Sequence, residues 1–359
     1  MLSDKSKIHA HTPEHVSHRG NCGIIGTGSA LPRRRISNEE IAQAVETSDE
    51  WIRERVGIAS RHIADKDESA VSLAYEASLR AMEMAGVTAG EVDLLVFGTV
   101  SPDQPLPSAA ALLQRKLGIP GAMSFDVRAA CSGFVFALAA ADGLLGAHGF
   151  STALVVGAET LSRIVDWSDR NTCVLFGDGA GAVVYRGSGI RGTNGDAEQV
   201  GILASDLHTT ATQADFIRRE GGSYPPATLP QCWGLEAPEA PNPYVQMSGR
   251  EVFKSAVVAM VSSMRAVLDR AGVSMADVDH FVPHQSNRRI VEAVCERMGM
   301  PATDPRVIMN IDSVGNTSAA SIPIALDEAA RTRPIRPGDL VLLSAVGAGI
   351  SYGSMLIRW

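Results

Sequence analysis

Cys131 stands where an apolar, strand-like stretch gives way to very small residues, Phe125-Asp-Val-Arg-Ala-Ala-Cys131-Ser-Gly133, ahead of the long apolar segment Phe134 to Leu145. A thiol placed there caps a buried helix. The start of that helix turns unpaired amide N–H groups and the positive end of its dipole toward the sulfur, which favours thiolate over thiol and so builds a nucleophile. A free cysteine is also a common small core hydrophobe, and this stretch alone is compatible with either role.

Elements that position such a thiol emerge when the two halves of the chain are laid side by side. Ala85-Gly-Val-Thr-Ala-Gly-Glu-Val-Asp93 returns as Ala271-Gly-Val-Ser-Met-Ala-Asp-Val-Asp279, each copy after a helical pattern and before a short apolar strand. Leu112 to Pro120 then matches Ala293 to Pro301, and Leu154 to Gly157 answers Leu340 to Leu343. A repeat this long signals a duplicated α/β domain whose halves pack about a pseudo-twofold axis. Equivalent strand-to-helix junctions can then share one cleft. On this matching Cys131 maps onto Asn316, in Asn310-Ile-Asp-Ser-Val-Gly-Asn316-Thr-Ser-Ala-Ala, and another junction carries His284, in Val282-Pro-His-Gln-Ser-Asn287. Singly, the histidine and asparagine read as structural residues, the latter as a helix cap. At symmetry-related strand ends, the three read as a catalytic set.

Composition bounds the rest. With 359 residues, 45% of them hydrophobic, 34 glycines and a net charge of -8, the chain predicts a globular protein of two domains. The acidic balance argues against nucleic acid. No apolar stretch reads as a membrane span and the N-terminus has no signal-peptide core, so a cytoplasmic protein is expected. Five cysteines without a CxxC pair suit reduced thiols and predict no metal site. Residues 1–20, with His9, His11, His15 and His18, read as a flexible tail, followed by halves at 21–190 and 191–359. Gly26-Thr-Gly28-Ser-Ala-Leu31 fails as a dinucleotide fingerprint, because Leu31 takes the third glycine's place and Pro32 follows.

The chain resembles the thiolase superfamily, and most closely the β-ketoacyl-acyl carrier protein synthase III family, from Gly23 to Trp359. The resemblance rests on Thr47-Ser-Asp-Glu-Trp51-Ile, Gly57-Ile with Arg61-His-Ile, Arg128-Ala-Ala-Cys131-Ser-Gly, Phe176-Gly-Asp-Gly-Ala-Gly181, Val282-Pro-His284-Gln with Asn287, and Gly315-Asn316-Thr-Ser-Ala-Ala. It implies an α/β fold, the thiolase-like duplicated five-layer αβαβα sandwich, with the segments Phe134 to Leu145 and Ser318 to Ala330 as helices buried between the sheets. It also implies a condensing acyltransferase with catalytic Cys131, His284 and Asn316, and an oxyanion hole from the amides of Cys131 and Ala348. Acyl-coenzyme A is then a substrate, no separate cofactor is needed, and malonyl-acyl carrier protein is the second substrate.

The same resemblance implies that Trp51 and Arg170 sandwich the coenzyme's adenine, that Asn287 meets the pantetheine arm, and that Lys254 and Arg289 meet the acidic carrier protein. A homodimer is implied, with strands around Ala153 to Glu159 as the contact. Leu106 occupies a place where the housekeeping bacterial enzyme often has a phenylalanine reaching across the dimer into the acyl pocket, which leaves primer length open. The stretch Leu207 to Gln246 is longer than usual and rich in proline, which suits an ordered loop near the pocket mouth or a plain linker. Arg128-Ala-Ala-Cys131-Ser equally resembles condensing enzymes of specialised polyketide or quinolone-type metabolism. A degradative thiolase is disfavoured because Gly347-Ala-Gly349 lacks a second cysteine.

Overall fold

The computed structural model describes residues 22–187, 200–220 and 241–359; the expected tail and the middle of the proline-rich stretch, with Cys232 and Trp233, lie outside the described residues. The strands in the first half are β1 (Cys22–Ala30), β2 (Arg34–Ser37), β3 (Ser60–Ile63), β4 (Leu94–Gly98), β5 (Met123–Val127), β6 (Thr152–Glu159) and β7 (Gly179–Gly187). Those of the second are β8 (Gly201–Thr209), β9 (Ile217–Arg218), β10 (Gln246–Met247), β11 (His280–Pro283), β12 (Leu340–Gly347) and β13 (Ser351–Arg358).

Two main sheets carry the duplication. One has the order β1-β7-β6-β4-β5 and the other β11-β12-β13-β8. Read from the opposite edge, the second repeats β1-β7-β6-β4, and the place of β5 is reduced to an isolated bridge between Phe281 and Val307. The inner faces of both sheets, including Leu94, Val96, Val341 and Leu343, pack on Phe134, Leu138, Ile322 and Ala325 of the helices Gly133–His148 and Ser321–Thr332. Leu95 and Phe97 face the other way, onto the helices Ala70–Ala85 and Ala109–Leu117, while Phe281 and Leu342 face Gly249–Ala271 and Arg288–Arg297. Strands covered on both faces are apolar throughout, which explains their sequence. These are the five layers of the thiolase-like sandwich.

Small residues let the central layer close. A Cβ added to Gly157 of β6 would fall 2.2 Å from the carbonyl oxygen of Ala319, so only glycine admits the turn that precedes the second central helix. The segment Ala130–His148 has mean hydropathy 1.6 and is long and apolar enough to cross a membrane, against the sequence expectation that no segment is. Its place between two sheets accounts for that composition.

Three expectations require correction. Backbone geometry pairs Cys131 with Ala319, not Asn316: Ala130 (φ 47°) and Ser318 (φ 50°) are the described non-glycine residues at positive φ, and each opens one 3-10 turn before a central helix. Likewise Asp93 N–H donates to the carbonyl of Thr152 and Asp279 N–H to that of Leu340, both at 3.0 Å, so Leu340 answers Thr152 and not Leu154. Runs of small or aliphatic residues carry little register information, and matching by residue type slipped along them. Finally, β6 cannot supply a dimer contact at Ala153 to Glu159, because β4 and β7 pair both its edges and every residue is buried. The terminal strands of that sheet are β1 and β5.

Candidate active site

A cavity of about 710 Å³ opens between the two halves, and Cys131, His284, Asn316 and Ala348 all line it. Cys131 sits in the 3-10 turn Ala130–Ser132, whose end continues into the central helix. Gly347 brings the neighbouring turn Ala348–Ile350 against it, since a Cβ there would stand 2.7 Å from the Cys131 nitrogen. That approach puts two backbone segments beside the sulfur, as an oxyanion hole requires.

The protonation of Cys131 departs from the expectation of a favoured thiolate. Burial pushes the thiol up to about 12; the Ser318 hydroxyl draws it down and the Glu159 carboxylate raises it further. Desolvation thus opposes the helix end at this partly buried thiol. The amides and the dipole then act on the charge that develops during attack.

His284 follows β11 directly and is 1% exposed, with its N–H donating to the Ser344 carbonyl at 2.8 Å. Burial pushes its imidazole down to about 3, so it is neutral at physiological pH. Its Nδ1 lies 2.6 Å from the Ser321 hydroxyl, and that oxygen also accepts from the Gln285 amide at 3.3 Å. In the tautomer where the Ser321 hydroxyl donates to Nδ1, the imidazole proton is on Nε2. In that tautomer His284 is a donor toward the cavity that it lines.

Asn316 is held by two chain-crossing bonds, its N–H to the Leu175 carbonyl at 2.9 Å and its carbonyl from the Gly177 N–H at 3.0 Å. Its Oδ1 accepts from the Ser318 N–H at 2.9 Å. The carboxamide is therefore turned with its oxygen inward, and its N–H₂ is the end left for the cavity. A neutral imidazole N–H and a neutral amide N–H₂ can together receive a negative oxygen.

The expected binding residues separate into two groups. Trp51 lies on the helix Asp49–Val56, started by Ser48, whose hydroxyl accepts from the Trp51 N–H at 3.1 Å. The Arg170 guanidinium sits 5.2 Å from the indole centroid and that of Arg55 at 5.8 Å. Arg170 is pinned by a 3.0 Å bond to the Glu46 carbonyl. Asn287 caps the helix Arg288–Arg297 and lines the cavity. Lys254 and Arg289 are exposed and outside the cavity wall. Leu106 is 84% exposed and also off the wall, although Asp103, Gln104 and Pro105 beside it line the cavity.

Sequence reasoning missed Ser321, Ser318 and Glu159. Ser321 meets His284 across 37 residues and Glu159 meets Ser101 across 58, separations that no local pattern encodes. The ends of the proline-rich stretch, closed by pairing of β9 with β10, bring Ile217, Arg218, Arg219, Val245 and Met247 to the cavity wall.

Comparison with known proteins agrees with this geometry. Residues 125–211 match the family model for 3-oxoacyl-[acyl-carrier-protein (ACP)] synthase III, and residues 268–359 match the model for its C-terminal part. A β-ketoacyl-[acyl-carrier-protein] synthase III of Erythrobacter litoralis is 48% identical over 336 residues, covering 94% of this chain and 98% of that one. One from Xanthomonas campestris is 46% identical, covering 96% of this chain and all of the relative. The crystal structure of 3-oxoacyl-[acyl-carrier-protein] synthase III from Aquifex aeolicus superposes with a TM-score of 0.83 at 40% identity, over 94% of this chain and all of that one. The priming β-ketosynthase of the R1128 polyketide pathway superposes with a TM-score of 0.84 at 34% identity, over 96% of this chain and 97% of that one.

Proposed function

The chain belongs to the 3-oxoacyl-[acyl-carrier-protein] synthase III family of condensing acyltransferases, and we propose that Cys131, His284 and Asn316 carry out its decarboxylative condensation of an acyl-coenzyme A with malonyl-acyl carrier protein, initiating fatty acid synthesis. What supports these roles is that all three side chains line one cavity.

Cys131 attacks the acyl thioester, the oxyanion is received by the amides of Cys131 and Ala348, and coenzyme A leaves as the thiol. One difficult condensation thus becomes two easier steps. The malonyl thioester enters next, and loss of carbon dioxide places negative charge on its thioester oxygen. His284 Nε2–H and the Asn316 amide are suited to receive that charge, and because both are neutral they need no proton change to do so. Removing one such donor costs about 3 to 4 kcal/mol of barrier. The carbanion then attacks the acyl-Cys131 carbonyl and forms the carbon–carbon bond.

Trp51 and Arg170 hold the adenine, Asn287 the pantetheine arm, and Lys254 with Arg289 the acidic carrier protein. No cofactor beyond the substrates is required, and the enzyme works in the cytoplasm as a homodimer. The unpaired edge of β5 supports a dimer built by continuing that sheet across two copies, which would also cover the exposed Leu106 and carry it to the partner's pocket. A second reading, priming of a specialised pathway, is favoured by the close superposition on the R1128 priming β-ketosynthase. Incubation with acetyl- and longer acyl-coenzymes A plus malonyl-acyl carrier protein tests both. A β-ketoacyl product and an acyl adduct on Cys131 are expected, with primer length separating the two readings. An acyl group transferred without condensation would overturn the proposal.

A further inference from the structure

Asn316 takes its place from a segment of the first half, and that segment rests on a buried cation that the condensation scheme leaves unused. Arg61, in β3, is fully buried, and among the described residues it makes no ion pair. One end of its guanidinium donates to the Val174 carbonyl at 2.8 Å and the other to the Asn38 carboxamide oxygen at 2.7 Å, while its Nε has no partner. Burial lowers its pKa to about 10, which leaves it charged at physiological pH. The residue after Val174 is Leu175, whose carbonyl accepts the Asn316 N–H, and Gly177 donates to the Asn316 carbonyl. Phe176, between them, pairs with Asn316 as an isolated parallel bridge.

Two glycines let these segments close on Arg61. A Cβ on Gly177 would stand 3.1 Å from the Arg61 Cβ and 2.3 Å from the Val314 carbonyl oxygen. One on Gly315, at φ 70°, would stand 3.2 Å from the same Arg61 Cβ and 3.3 Å from the Leu175 carbonyl oxygen. Backbone on both sides of the Asn316 bridge is therefore packed against one side chain. β3 also bonds the two segments directly, with the His62 carbonyl accepting from the Asp178 N–H at 2.8 Å and the Ser60 hydroxyl donating to the Ser313 carbonyl at 3.2 Å. Tying a hairpin to a loop needs no charge, and a buried guanidinium with only neutral acceptors costs stability that an apolar residue of similar volume would not. The two-armed reach of this cation is directed to the base of the segment that aligns Asn316.

We propose that Arg61 is a positioning residue for Asn316: its guanidinium fixes residues 174–177, and these fix the carboxamide that receives the charge of the decarboxylating malonyl thioester. The inference rests on the reading of Asn316 as that donor. Arg61 itself is not on the cavity wall and touches no substrate. Asn38 keeps bonds of its own to Asp49 and to the Ile58 carbonyl, both at 2.8 Å, so the helix that bears Trp51 stays held without Arg61. The turn that carries Cys131 packs on Gly347 instead of on residues 174–177. Loss of Arg61 is therefore felt in decarboxylation and not in acylation.

The test measures the two half-reactions separately on the full-length protein: acylation of Cys131 by acetyl-coenzyme A, read by intact mass, and release of carbon dioxide from malonyl-acyl carrier protein. Arg61→Met keeps the volume of the stem and removes both donors. Decarboxylation should fall about 100-fold, the cost of displacing a positioned group by about 1 Å, while acylation changes little. Arg61→Lys, which keeps the charge and a donor, should restore part of the loss. A purely structural clip would instead lower both half-reactions together, in proportion to the folded fraction. Equal loss in both, undiminished decarboxylation in folded Arg61→Met, or a lysine variant no better than the methionine one would overturn the proposal. If Arg61→Met does not fold, the ratio of the two half-reactions in Arg61→Gln decides. Undiminished decarboxylation in Asn316→Ala would instead sink the underlying reading of the donor.

Discussion

The Nδ1 of His284 lies 2.6 Å from the hydroxyl of Ser321, the residue that opens the central helix of the second half. The corresponding helix of the first half opens at Gly133, just after Cys131. One central helix thus begins beside the nucleophile, and its counterpart begins on the residue that orients the imidazole. This division of labour follows from the duplication, and it yields the first prediction.

Ser321→Ala leaves Nδ1 without its hydrogen-bond partner and removes the constraint on which ring nitrogen carries the proton. Decarboxylation of the malonyl thioester should fall about 10- to 100-fold, by analogy with partners that orient metal-ligating histidines, while acylation of Cys131 changes little. Separate assays of the two half-reactions check this. Equal loss in both would count against the assignment.

The depressed pKa of His284, about 3 against an ordinary 6.5, has a stability consequence of fixed sign. The unfolded chain binds a proton that the folded chain refuses. The contribution of the neutral, buried imidazole is complete above pH 6.5 and is lost as pH falls toward 3. Thermal midpoints measured from pH 7.5 to 4.5 should therefore fall faster for the parent than for His284→Gln. For the same reason, no activity limb near pH 6.5 should come from this histidine.

Trp51→Ala should raise KM for acyl-coenzyme A severalfold with little change in kcat, because it removes a stacking surface worth about 1 kcal/mol rather than a reacting group. Arg170→Ala should act in the same direction, and the double variant should add little to either single one if both grip one adenine. Steady-state kinetics with a double-mutant cycle measures it.

Leu106→Trp should shift the primer preference toward shorter acyl groups if this exposed side chain enters a partner's pocket. Competition between acetyl- and octanoyl-coenzyme A, run beside sedimentation analysis, reads both aspects. An unchanged preference in a proven dimer would remove Leu106 from the acyl pocket.

Much of this was legible in the chain itself. The helix start at Cys131, the fingerprint around His284 and the small-residue run after Asn316 are local, so neighbouring residue types suffice to mark them. The duplicated stretch ending at Asp93 and Asp279 likewise carried the fold. Its alignment slipped at Leu154 and at Asn316 because aliphatic and small residues look alike from one position to the next, while strand pairing is set by hydrogen bonds that only the assembled sheet makes.

What the amino-acid order alone determined is therefore the inventory: a thiol before a helix, an imidazole and a carboxamide after strands, and two similar halves to bring them together. Only the tertiary structure decided how those groups behave. It set β5 at a sheet edge, turned Ser321 toward His284, bonded the buried Glu159 to Thr99, Val100 and Ser101, and raised the pKa of the Cys131 thiol by burial. Protonation depends on how much water surrounds a group and which distant charges and donors replace it, and residues far apart in sequence create that environment.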